Sequence, residues 1–386
     1  MHQSRRWLFA LLICLGIGVV GASAAAQDAA KPDAVRNNII GARGPLSDNQ
    51  REQVENYVEF YSGLITGDQP DEIAQARQAM LEPIQRPGAT AAFKDQYSAI
   101  VVNALTGSLN APSQFKRLNV TIVLAQLYGP NGAEMLLDAA GDDSPAVRYW
   151  ATTGLARMLQ ASAIADELSD RLRERIYRTA VELLGNDQPA RVRQQLYVML
   201  SELETTEAWS HLIGAMQRRV SAYGGQGLDA GVRAETVGTV KLLSRLRFEI
   251  VQAKNAGDQQ RLVAARAMMQ NLAVTSYQYL QLIAEASLGE GFDSQTLPAV
   301  LDYVRNAEKV LTSVLRAAQP KAEAPALFAT FESGAQAGDY AGFAEAVVVD
   351  WRQRLTRDVG IDAQRLDMPL SATEEGGEQA HQAPGN

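Results

Sequence analysis

Three histidines, one cysteine and a few adjacent carboxylate pairs are the main acid–base, metal or nucleophilic groups of this 386-residue chain. His2 and Cys14 lie in an apolar N-terminal stretch, His381 lies near the C-terminus, and His211 sits alone in "AWSHLIGAM". A lone helical histidine beside apolar neighbours reads as a partly buried structural residue rather than a base or ligand. Zinc chemistry needs several His or Cys ligands at set spacing, and none is present, so no metal or cofactor is expected. Phosphate-binding glycine loops, a nucleophile elbow and a dinucleotide fingerprint are also missing. Paired carboxylates are the one catalytic option: Asp142-Asp143, Asp166-Glu167 and Glu374-Glu375. A glycosidase requires two carboxyls facing each other across a cleft, whereas adjacency alone suits a helix cap, a solvated turn and a polar tail.

Those residues must be carried by helices. Apolar positions recur at three and four spacing in "QREQVENYVEFYSGLI", "FKDQYSAIVVNAL", "FKRLNVTIVLAQL" and "RLRERIYRTAVELL", and no stretch alternates as a strand would. The expected class is all-α. One helix head is written three times: "PAVRYWATTGLARML", then "ARVRQQLYVMLSEL", then "AGVRAETVGTVKLLSRL". Val147-Arg148, Val192-Arg193 and Val232-Arg233 align. Counting from each arginine, Ala151, Leu196 and Thr236 match, then Leu155, Leu200 and Val240, then Met158, Leu203 and Leu243. This spacing predicts one repeated buried face. Proline is expected to stop the first helix of each pair, aspartate to cap the second, and valine to dock beneath the preceding copy. A single pair cannot cover its own apolar stripe, so the copies must stack.

Helix, turn and helix at a period of about 40 to 47 residues is the period of HEAT and armadillo arrays. Residues 131–253 resemble HEAT repeats, in particular the short HEAT-like type found with phycobilisome lyases. The motif runs from Asp142 through Pro145 and Val147 to Arg148, and from Asp187 through Pro189 and Val192 to Arg193. The resemblance implies an acid-to-arginine ladder between adjacent repeats; the third copy departs, with Asp229 only four before Arg233. The "GDY" corner in "FESGAQAGDYAGFAEAVVVDW" is similar to one tetratricopeptide unit.

The expected organisation is a signal peptide over residues 1–26, a linker over 27–45 and a HEAT-like array over 46–256. A long helical hairpin with a terminal helix pair follows over 257–370, then a disordered tail over 371–386. Arg5 and Arg6 ahead of "LFALLICLGIGVV", with Ala24 and Ala26 before Gln27, predict export to the periplasm or cell envelope. Membrane contact is expected only if that segment stays uncleaved. Gly-Asp steps at Gly67-Asp68, Gly257-Asp258 and Gly338-Asp339 read as helix-to-helix corners. The hairpin, with seams from Leu262 to Ala286 and from Leu297 to Ala318, reads as a cap on the array rather than a dimer interface.

A net charge of −8 with no basic run excludes nucleic acid as the expected partner. The leading functional expectation is a non-enzymatic exported scaffold or adaptor that binds a protein or peptide. Arg148, Tyr149, Arg193 and Arg233 are its candidate binding residues, and Asp142, Val147, Asp187, Val192, Asp229 and Val232 its structural ladder. Trp150 reads as core, while Tyr149 suits either core or an interface anchor. The alternative is a carboxylate-dependent polysaccharide hydrolase or lyase on an α/α toroid, which would need a closed ring with convergent acids and aromatics. The HEAT-like resemblance alone implies a third, the handling of a chromophore or prosthetic group.

Overall fold

The computed structural model describes residues 31–127, 129–161, 168–289 and 291–367; among them there are helices and no strand, so the chain is all-α. The predicted signal, the Asp166-Glu167 and Glu374-Glu375 pairs and the predicted tail lie outside the described residues. A short helix α1 (Asn37–Ile40) precedes α2 (Asp48–Ile65), α3 (Pro70–Gln85), α4 (Ala91–Leu105), α5 (Gln114–Leu124), α6 (Ala133–Ala140) and α7 (Pro145–Gln160). Then come α8 (Asp170–Leu184), α9 (Ala190–Glu202), α10 (Thr206–Gln226), α11 (Val232–Ala256), α12 (Gln259–Leu288) and α13 (Thr296–Ala318). The last elements are α14 (Leu327–Ala337), α15 (Ala341–Glu345) running into widened π turns, and α16 (Ala363–Leu366).

Helix starts are written locally. Ser47, Thr90, Ser113, Ser169, Thr205 and Asp258 each accept a backbone N–H from their own first turn, satisfying donors that have no partner inside the helix. Prolines open helices here and do not stop them: Pro145 is the first residue of α7, and Pro189 is the residue immediately before α9. Proline's missing N–H is no loss at the first turn, whereas Gly141 closes α6.

Alternate helices share a layer. In one layer α3 packs beside α5, α5 beside α7, α7 beside α9, α9 beside α11 and α11 beside α13. In the other, α2 lies beside α4, α6 beside α8, α8 beside α10 and α10 beside α12. Each stripe that one pair cannot cover is thus covered by the next, the condition for a stable stacked array. Val147, Val192 and Val232 occupy the first turns of α7, α9 and α11 with 0%, 1% and 0% of their surface exposed. Gly154 lets α7 approach closely, since a β-carbon there would stand 2.7 Å from Leu136 Cδ1 and 2.8 Å from Ala125 Cα.

The repeated face holds at every aligned position but two. Ala151, Leu155 and Met158 are buried, as are Leu196, Leu200, Thr236 and Leu243, but Val240 is 37% exposed and Leu203 is half-buried. Thr239, Leu242 and Leu246 take the inward positions of α11, turning Val240 out.

The expected linker is corrected over its second half. Val35, Ile39, Ile40 and Leu46 are buried, the Thr90 N–H donates to Ile40 O, and Arg86 holds Val35 O at 2.6 Å. These four apolar side chains lack periodicity because they come from a folded-back segment, yet they cover the open end of the first pairs. At the other end the long hairpin α12–α13 sits in line with both layers as a sixth pair, and α14 to α16 cover it in turn. Phe331 clusters there with Phe292, Tyr340 and Phe343; Trp351 is fully buried, and Gln278 of α12 donates to Arg365 O and Asp367 O.

Of the Gly-Asp corners, Gly257 adopts φ +68° and Asp258 caps α12, as the step predicts. Gly338 has φ +70°, and the Asp339 carboxylate accepts the Ala341 N–H. Asp68 differs: it pairs with Lys116 at 2.9 Å and leaves the cap of α3 to Gln69.

Candidate binding site

One arginine stands in the first turn of each of α5, α7 and α9, and all three make the same two connections. Nη1 of Arg117 donates to Ala111 O and Pro112 O, Nη1 of Arg148 to Asp142 O and Asp143 O, and Nη1 of Arg193 to Gln188 O. Each thereby fastens the turn leading into its own helix. The remaining nitrogens reach forward to the next layer: Arg117 to the Asp142 carboxylate, Arg148 Nε to Gln188 Oε1 at 3.1 Å, and Arg193 Nε to Glu235 Oε1 at 3.2 Å.

This ladder differs from the predicted one in its partners. Asp142 meets Arg117 of the preceding layer, and Arg148 touches only the Asp142 backbone. Asp187 stays out: its side chain is 86% exposed and pairs with Arg219 at 3.3 Å, while the next residue, Gln188, takes the rung. Asp229 closes its own turn by accepting the Gly231 N–H, and Arg233 is exposed with no ion pair among the described residues. Arg148 and Arg193 are therefore occupied by structure and Arg233 is free.

Electrostatics follow the ladder inward. Burial raises the Asp142 carboxyl, but hydrogen bonds from Arg117 and the Ser144 N–H outweigh it and hold the group below its ordinary value. Glu235 is completely buried, and burial pushes its carboxyl up against the pull of Arg193. Its oxygens are met by Arg193, by Tyr197 OH at 3.3 Å and by Tyr223 OH at 3.2 Å. Burial likewise pushes up the phenols of Tyr197, Tyr223 and Tyr279, which surround this pair. Glu235 was invisible to sequence reasoning because an acid in a helix's first turn ordinarily faces water; its one signal was a buried position left without an apolar residue.

Two grooves beside the ladder are lined by charged side chains. One, of about 310 Å³, is lined by Arg193, Arg218 and Arg219 with Asp187 at its edge; Arg218 donates to Leu184 O, so these cations also serve the carbonyl end of α8. The other, of about 260 Å³, is lined by Glu204, Trp209, Arg245, Phe248, Glu249 and Arg261. Each of its acids is held by a cation: Glu204 by Arg245 at 2.8 Å and Glu249 by Arg261, which forks onto both oxygens.

Aromatics are mostly spent on the core. Trp209 and Trp351 are buried, with indole N–H groups donating to Ser201 O and Pro325 O. Trp150 and Tyr149 are both half-buried and meet edge to face at 5.6 Å, so Trp150 is less enclosed than a core reading implies. His211 is exposed, not partly buried, and its ring meets Tyr177 at 5.8 Å.

Three large apolar side chains stand exposed on α11: Val240, Phe248 and Val251, at 37%, 56% and 52%. No helix among the described residues is long and apolar enough to cross a membrane.

No family model and no curated protein matches this chain. Among solved structures, a crystal structure of an engineered protein aligns over 86% of this chain and 98% of its own, at 12% identity and a TM-score of 0.28.

Proposed function

We propose that this chain is a non-enzymatic helical-repeat scaffold of HEAT type, exported to the cell envelope, that binds a protein or peptide partner on the outward face of α11. The observation that carries the reading is the exposure of Val240, Phe248 and Val251 on a helix whose other side is fully packed. Contiguous exposed apolar surface on a stable array marks an interaction site, and an array of stacked pairs offers a rigid frame for one. Occupation of Arg148 and Arg193 by the ladder moves the predicted interface from the helix heads to this stripe, with Arg233 at its upper end. The HEAT assignment is supported by the repeated arginine geometry, and export by the N-terminal sequence pattern.

A photo-crosslinking residue at position 248 tests the proposal against the same residue at Glu52, exposed on α2 at the far end of the array. A discrete adduct at 248 that disappears with Val240→Asp, and is missing at 52, is the expected outcome. Equal, diffuse labelling at both positions would count against any docking surface on α11.

A further inference from the structure

The stripe on α11 has a charge character as well as an apolar one. At 100° per residue, Arg233, Val237, Val240, Ser244, Arg247, Phe248, Val251 and Lys254 fall within an arc of about 120°, and Val237 to Val251 spans about 21 Å. All but the half-buried Val237 are exposed. The other charges of α11 are neutralised: Lys241 and Arg245 by Glu202, Arg245 also by Glu204, Glu249 by Arg261 and Glu235 by Arg193. Arg247 donates only to the uncharged Ser313 hydroxyl, at 2.5 Å, and no carboxylate pairs with Arg233, Arg247 or Lys254 among the described residues. Three uncompensated cations therefore flank four apolar side chains, on a chain whose net charge is −8.

We infer that the occupant of this face is an acidic amphipathic helix of another protein, its apolar anchors on Val237, Val240, Phe248 and Val251 and its carboxylates opposite Arg233, Arg247 and Lys254. This rests on the reading of α11 as a docking surface and adds the partner's chemistry. A helix laid along a helix-lined face reads anchors at three-four spacing, which matches the stripe. Charge complementarity selects against wrong partners and speeds encounter. A second copy of this chain is disfavoured by the same charges, because two such stripes laid together would oppose cation to cation.

The test uses the full chain and two synthetic peptides of about 20 residues, both helical with leucines at three-four spacing. One carries glutamates beside the leucines and the other lysines. Fluorescence anisotropy is expected to show binding of the acidic peptide, weaker at high salt, and at least about tenfold preference over the basic one. Arg233→Glu with Arg247→Glu is expected to reverse that preference. Phe248→Asp is expected to abolish binding of either peptide with the melting curve unchanged, since all three side chains are exposed. Equal binding of both peptides, lost with Phe248→Asp, overturns the charge assignment and leaves the docking surface standing. Binding of neither peptide overturns the inference; if crosslinking at 248 is also diffuse, the docking surface falls with it. Self-association in sedimentation that Phe248→Asp removes would make a second copy the occupant and overturn the inference as well.

Discussion

The Arg117 guanidinium forks onto the Asp142 carboxylate across 25 residues of chain, Nε to Oδ2 at 2.6 Å and Nη2 to Oδ1 at 3.1 Å. The same carboxylate accepts the Ser144 N–H at 2.8 Å just before α7 begins. One side chain thereby ties the head of α5 to the head of α7.

Asp142→Asn is expected to destabilise the fold by roughly 1.5 to 3 kcal/mol at neutral pH, the range for hydrogen bonds to charged groups. The folded Asp142 carboxyl lies below its ordinary value, so its contribution is complete above the unfolded value of about 3.9. It is lost as the pH falls through the lower folded value. Urea denaturation across that window checks this: the gap between wild type and variant should close in acid, and a constant gap would be wrong for this pair.

Arg193 and Glu235 are the buried rung. Arg193→Met alone leaves an uncompensated buried carboxylate and is expected to cost about 3 to 5 kcal/mol, while adding Glu235→Met should recover most of that loss. A double-mutant cycle by chemical denaturation decides it; additive losses would mean the two side chains act separately. The Glu235 carboxyl is raised on folding, so the burden of its burial is least in acid and grows as pH rises through the folded value. Arg193→Met should accordingly be least harmful at low pH.

Glu204 ends α9 at φ +56°, a left-handed conformation that costs a residue with a β-carbon about 1 to 2 kcal/mol. Glu204→Gly should raise stability by about 1 kcal/mol once the exposed pairing with Arg245 is discounted. Thermal melting reads this directly, and a lower melting temperature would give the Arg245 contact the larger share.

Gly154→Ala is expected to destabilise by roughly 1 to 3 kcal/mol, because the new methyl would press on Leu136 and on the Ala125 backbone. In a double-mutant cycle with Leu136→Ala, the pair should cost less than the sum of the two single losses, as one clash is relieved. Full tolerance of the single substitution, measured by denaturation, would contradict the close approach of α7 to α5.

Legibility in the sequence followed the range of the interaction. Helix type, the burial of Val147, Val192 and Val232 and the corner at Gly257 depend on residues within a turn or two, and they were readable. Which acid meets which arginine depends on how one layer sits on another. A displacement of one position gave the rung to Gln188 instead of Asp187, and Arg117 found Asp142, 25 residues further along the chain. Val240 turned outward because Thr239, Leu242 and Leu246 take the inward side of α11, a choice no aligned motif records. Val35 and Ile39 escaped notice because a folded-back segment needs apolar residues without period. Of the predicted interface residues, Arg148 and Arg193 proved structural and Arg233 stayed free, while Val240, assigned inward, is exposed.

The folded-back N-terminal segment and the helices after Ala318 give the row finished ends. A stack left bare at either end would present the same hungry surface that each pair offers its neighbour, and copies would thread head to tail into filaments. Burial of Val35 and Ile40 in the first segment, and of Leu366 and Trp351 in the last, removes part of that surface within the described residues.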